Sequence, residues 1–173
     1  MLGFLIRGGA PLDAIGIEAH FGYQLAAPVH IWRNLDRFAA FGKKLRITEF
    51  DVNVAEEALQ ADYTRDFLTA VFAHASVDSL TLWGFWEARM YKPRGALYRR
   101  DWSIKPNGEA YLDLVFHKWW TDVTKRTGED GTITIRGFLG DYELAAEADG
   151  NVATALAKLP REGTVVTLPV RRA

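Results

Sequence analysis

The chain has 173 residues, 49% of them hydrophobic and 25% charged, with a formal net charge of −1. That length supports one sizeable core, or one core with a small appendage, and a pI of about 6.4 excludes a global field that would recruit nucleic acid or anionic lipid. Cysteine is absent, which excludes disulfides, thiolate metal sites and a cysteine nucleophile but does not fix the compartment.

The segment Met1 to Arg7 lacks a basic leader, and its apolar run is soon broken by Gly8-Gly9. It does not read as a signal peptide, and no stretch is long enough to span a membrane. Residues 14–20 read as a strand between Gly8-Gly9-Ala10-Pro11 and Gly22. Pro28 to Phe41 reads as a helix with Trp32, Leu35 and Phe38-Ala39 on one face and Gly42 as its stop. A second strand is expected over 45–51. Leu59, Tyr63, Phe67, Ala70-Val71 and His74 recur at helical spacing and predict a second helix, followed by a third strand over 78–85. An aromatic loop runs through Tyr91, Pro93 and Gly95 to Trp102. Pro106 is placed to open a third helix that buries Tyr111, Leu114-Val115 and Trp119. Strands alternating with helices imply parallel pairing.

After residue 127 the pattern becomes all-β. Strands are expected at 132–135, 140–144 and 163–168, with Asp149-Gly150-Asn151 as a turn. The expected organisation is an α/β unit over 1–126 and a small antiparallel β appendage over 127–173, too short to build much of a core alone.

The three α/β strands share one design. Gly16, Glu18 and His20 lie on one face of the first. In the second, period-2 alternation puts Ile47, Glu49 and Asp51 on one face and Thr48 on the other. The third presents Thr81, Trp83 and Phe85 opposite Leu80 and Leu82. Polar side chains therefore converge at the carboxyl ends of neighbouring strands, where active sites of barrels and open α/β sheets are built. Each residue alone has a plainer reading: Glu49 as a solvated strand end, His20 as a hydrogen-bonded core histidine, Trp83 as core, Asp51 as a turn cap. Glu18, His20 and Glu49 also read as a set of ligand types for zinc or manganese. Their spacings match no metal motif, so no metal and no cofactor is expected.

Gly16-Ile17-Glu18-Ala19-His20-Phe21, Ile47-Thr48-Glu49-Phe50-Asp51 and Leu82-Trp83-Gly84-Phe85 resemble, in order and spacing, the last three barrel strands of glycoside hydrolase family 10, the retaining endo-β-1,4-xylanases. The resemblance covers roughly residues 5–123, including Leu97-Tyr98, Asp101-Trp102 and Lys105-Pro106, and Arg136 to Tyr142 looks like a β extension carried by some members. It implies a partial (β/α)8 TIM barrel, comprising strands 6 to 8 with their helices, followed by the β appendage. It further implies Glu49 as nucleophile, His20 as the residue orienting it, Asp51 as the acid behind His20, and Trp83 lining the sugar site. Glu18, Trp86 and Tyr91 are further expected substrate contacts. The implied partner is xylan or a xylo-oligosaccharide, and the implied location is secreted or extracellular.

The sequence also departs from the family pattern. The family's acid/base glutamate sits in an Asn-Glu pair on an earlier strand, and no Asn-Glu dipeptide occurs here. Glu18 stands where many members have Gln, and Tyr91-Lys92 where relatives often carry Trp and Arg. The isolated chain is therefore expected to hydrolyse xylan weakly or not at all. Open sheet edges invite self-association, or union with a separate amino-terminal half of the barrel. The alternatives are a non-catalytic glycan-binding protein and an interaction domain.

Overall fold

Three parallel strands, β1 (Ala14–Phe21), β2 (Lys44–Val52) and β3 (Val77–Leu82), form a sheet in the order β1-β2-β3. Helices α2 (Pro28–Ala39) and α3 (Glu57–Ala73) make the two crossovers, after a short α1 (Leu2–Arg7). The computed structural model describes residues 1–170. It divides into two compact units, Met1–Val115 and Phe116–Ala173.

In the first unit one face of the sheet is covered by helices and the other is open. Leu45, Ile47, Phe50 and Val52 of β2 are buried, and Phe50 stacks on Phe67 of α3 with ring centroids 4.5 Å apart and planes at 4°. Phe21 of β1 meets Phe50, Tyr63 and Phe67 edge-on, which closes an aromatic cluster under the sheet. α3 buries Tyr63, Phe67, Leu68 and Val71 at the spacing of one helical face, whereas Leu59 at its start is exposed. α2 buries Ile31 and Leu35, and Gly42 just beyond it takes φ +70°, a left-handed conformation that favours glycine. Trp32 is partly exposed and meets His74 edge-on, at 5.0 Å.

The ladder between β1 and β2 carries a bulge that sequence periodicity did not foresee. Ile17 pairs with Ile47 and Glu18 with Glu49, so Thr48 is an extra residue on β2. The buried positions accordingly switch phase, from Leu45 and Ile47 to Phe50 and Val52. Ile47 thus belongs to the helix-covered face, contrary to the strict alternation that grouped it with Glu49 and Asp51. β3 is also shorter than expected. It ends at Leu82, and Trp83 adds one last backbone bond to Phe50 (3.0 Å) before the chain bends away.

After β3 an irregular loop holds a 3-10 turn, Pro93–Gly95, and leads to α4 (Pro106–Asp113). Pro106 opens α4 as expected, and a π-helical turn over Leu114–Lys118 continues it. Gly108 is required by packing: a Cβ there would lie 2.6 Å from the Leu97 carbonyl oxygen and 2.8 Å from Ile104.

The second unit contains one antiparallel hairpin, β4 (Gly140–Ala148) and β5 (Asn151–Leu159). Its two-residue turn, Asp149-Gly150, has both φ positive (50° and 75°), as a type I′ turn requires. Tyr142, Leu144 and Ala146 share the half-buried face with Ala153, Ala155 and Ala157. The expected strands at 132–135 and 163–168 do not form: neither segment enters a ladder among the described residues, and the partner of β4 is Asn151–Leu159.

Candidate active site

The open face of the sheet gathers its polar residues at the carboxyl ends of β1 and β2. Glu18 and Glu49 are register partners on adjacent strands, as are His20 and Asp51. The bulge at Thr48 makes this pairing possible, because it shifts Glu49 opposite Glu18 while Phe50 stays in the core.

His20 is held at both ring nitrogens. Nδ1 lies 2.6 Å from Asp51 Oδ2 and Nε2 lies 2.9 Å from Glu49 Oε2. Side chains of His20 and Glu49 are about a quarter exposed (26% and 25%), whereas the Asp51 side chain is fully buried. Burial works to lower the His20 pKa, but the hydrogen bonds to Asp51 and Glu49, with the Asp51 charge, outweigh it and raise it above the ordinary 6.5. Glu18 offers a carboxylate oxygen to the same cluster: one donor atom each from Glu18, His20 and Glu49 lie within 4.8 Å of one another. Trp83 completes the group, with its ring edge-on to His20 at 5.8 Å and 82° and about half exposed.

The other two expected contacts are placed differently. Trp86 stacks on Trp102 (4.8 Å, 11°) and its indole N–H donates to the Arg100 carbonyl at 3.3 Å. Its ring is thus committed to the loop rather than to the carboxylate cluster. Tyr91 is 88% exposed on the same loop.

Two residues that position the site carried no signal in the sequence. Gln60 of α3 is completely buried, and its Nε2 donates to the carbonyls of Val52 and Arg94. It thereby ties the end of β2 to the turn at Arg94. Gly95, the next residue, lies directly over Asp51, where a Cβ would come within 3.1 Å of the aspartate Cβ. Trp102 adopts φ +67°, a strained conformation for a bulky residue, fixed by the Asp101–Ser103 hydrogen bonds and the stack on Trp86.

Comparison with known proteins bears directly on this arrangement. The profile described as glycosyl hydrolase family 10 matches residues 1–114, which include all three strands of the parallel sheet and the whole carboxylate cluster. The chain belongs to that family. Endo-1,4-beta-xylanase 2 of Arabidopsis thaliana is 32% identical over 142 residues, which is 81% of this chain and 13% of the relative. Anti-sigma-I factor RsgI6 of Acetivibrio thermocellus is 27% identical over 151 residues, 87% of this chain and 20% of that protein. Among solved structures, xylanase 10B from Thermotoga petrophila RKU-1 in complex with xylobiose superposes with a TM-score of 0.61 at 26% identity, covering 68% of this chain and 40% of its own.

The family fold is a (β/α)8 barrel, and the first unit corresponds to part of it. The chain spans 13% to 40% of the length of these relatives. The alignment to the anti-sigma factor covers 87% of the chain, so it necessarily runs past residue 114 into the hairpin unit.

Proposed function

We propose that this chain is the carboxy-terminal part of a retaining endo-1,4-β-xylanase, its strands being the last three of the barrel, with Glu49 as the nucleophile. One observation carries the reading: His20 bridges Glu49 and the buried Asp51, so that the Glu49 carboxylate is aimed by an imidazole that is itself fixed from behind. In the first step a Glu49 oxygen bonds to the anomeric carbon as the glycosidic C–O bond breaks, giving a covalent glycosyl-enzyme. Water then cleaves that ester and releases the sugar with retained configuration. A protonated His20 donates to Glu49 and holds it in line, and Asp51 fixes the ring through Nδ1. Trp83, half exposed beside His20, offers an apolar face to a pyranose ring.

The leaving oxygen must gain a proton in that first step. The family's Asn-Glu pair is absent from these 173 residues, and loss of a general acid typically removes about 10²–10⁴ in rate. The chain by itself therefore turns over xylan weakly or not at all. β1 and β3 are the open edges of its sheet, and a segment adding strands there would complete both barrel and site. The test compares xylan with an aryl xylobioside whose phenol leaves without protonation. Slow release of the activated phenol, lost in Glu49→Gln, is the expected outcome. Full-rate xylan hydrolysis, or phenol release untouched by Glu49→Gln, would sink the reading.

A binding-only role is the second reading: one relative aligned over 87% of the chain is named an anti-sigma factor rather than a hydrolase. Xylo-oligosaccharide binding that survives Glu49→Gln, without any covalent intermediate, would select it.

A further inference from the structure

We propose that the hairpin of the second unit is a self-association edge, at which β5 pairs antiparallel with β5 of a second copy of this chain about a two-fold axis at Ala155. A lone two-stranded ribbon is marginally stable in water, and further strands are needed for independent stability. Among the described residues β4 and β5 pair only with each other. Both outer edges of the hairpin are therefore templates for an added strand.

The turn decides which backbone groups face outward. A two-residue I′ turn is flanked by a hydrogen-bonded pair, here Ala148 and Asn151, and bonded and non-bonded pairs alternate from it. Ala153, Ala155 and Ala157 thus commit their N–H and C=O groups to β4, while Val152, Thr154, Leu156 and Lys158 direct theirs away. Among the described residues no backbone hydrogen bond reaches that outer edge.

Charge chooses between the two edges. The outward residues of β4 are Asp141, Glu143, Ala145 and Glu147. Pairing β4 with itself about Leu144 sets Asp141 opposite Glu147, and moving the axis to Glu143 or Ala145 sets glutamate opposite glutamate. Like charges directly opposite are destabilising. β5 has no such barrier. An axis at Ala155 places Thr154 opposite Leu156 and Val152 opposite Lys158, and aligns every outward group of the strand for about eight hydrogen bonds between copies. At the non-bonded positions, where side chains come closest, alanine meets alanine: Ala155 faces its own copy and Ala153 faces Ala157. Val152 and Leu156, which are 63% and 81% exposed, become partly covered across the axis. This pairing closes on itself, whereas β4 of one copy on β5 of another would be heterologous and would propagate. Its residues all lie in the second unit, so it does not depend on the nucleophile assignment.

Sedimentation velocity of the tag-free 173-residue chain tests this over roughly 10–500 µM, the range suited to a contact below standard interface size. The expected result is a reversible monomer–dimer equilibrium with no larger species. Thr154→Pro removes an outward N–H while sparing the bonds to β4, and should weaken dimerisation at least about tenfold. Val152→Lys leaves the backbone unchanged, faces Glu147 within the hairpin and opposes Lys158 of the second copy; it should also weaken the dimer, more so at low salt. Ala145→Pro, on the outer edge of β4, should leave the equilibrium unchanged. All three variants should keep the circular dichroism spectrum of the parent. A chain monomeric at every concentration, a dimer untouched by Thr154→Pro and Val152→Lys, an equal loss in Ala145→Pro, or growth beyond the dimer would each overturn the proposal.

Discussion

Replacing Gln60 with leucine, a side chain of similar bulk, isolates the hydrogen bonds that join α3 to the end of β2. Gln60 is completely buried, and its Nε2 donates to the carbonyls of Val52 and Arg94. Each net hydrogen bond contributes about 0.5–1.5 kcal/mol, and the two abandoned carbonyls add a desolvation cost. Working the other way, Gln60 Oε1 has no partner, so its removal relieves a buried acceptor. The balance is a loss of about 1–3 kcal/mol, a sizeable share of the 5–15 kcal/mol that holds a typical domain. Urea unfolding followed by circular dichroism measures it as a lower midpoint at unchanged slope. The Val52 and Arg94 carbonyls flank Asp51 and Gly95, so the His20–Asp51 contact should loosen as well, seen as broadening of the His20 ring resonances. A variant as stable as the parent would refute the view that Gln60 fastens the site to the helix layer.

The other predictions concern packing and protonation. Phe67→Ala removes a ring stacked on Phe50 and touched by Phe21, and should cost about 3–5 kcal/mol in the same unfolding assay. Gly108→Ala drives a methyl against the Leu97 carbonyl oxygen and Ile104, and should cost about 1–3 kcal/mol, with Gly108→Ser no better. The pKa of His20 is raised in the folded state by its hydrogen bonds to Asp51 and Glu49. Its stabilising contribution is therefore full below the ordinary 6.5 and is lost as pH rises through the folded-state value. The stability difference between parent and His20→Asn should be larger at about pH 5.5 than at about pH 9; equal differences would contradict the ion-pair geometry.

Much of the site was legible because β1 follows the simplest rule available to a chain. Gly16, Glu18 and His20 alternate against Ile15, Ile17 and Ala19, and the structure keeps them on the open face. The same rule failed on β2. Nothing about Thr48 marks it as an extra residue, since a bulge arises from the fit between two strands rather than from either alone. Gln60 was invisible for a related reason: its acceptors lie 8 and 34 residues away, and on a helix it reads as an ordinary polar residue. In the second unit, β-branched residues in Thr132 to Ile135 and Thr164 to Thr167 promised strands, yet pairing selected the alanine-rich Asn151–Leu159. The Asp149-Gly150 turn lies directly between β4 and that segment, and turn geometry sets hairpin register more firmly than composition does.

Covalent trapping tests the assignment of Glu49 most directly. A 2-deoxy-2-fluoro xylobioside bearing a dinitrophenolate leaving group needs no general acid for the first step, so the chain can be examined as it stands. The expected result is a mass increase of one fluoroxylobiosyl group, mapped by peptide sequencing to Glu49 and absent from Glu49→Gln. No label on a folded chain, or a label on Glu18, would contradict the account.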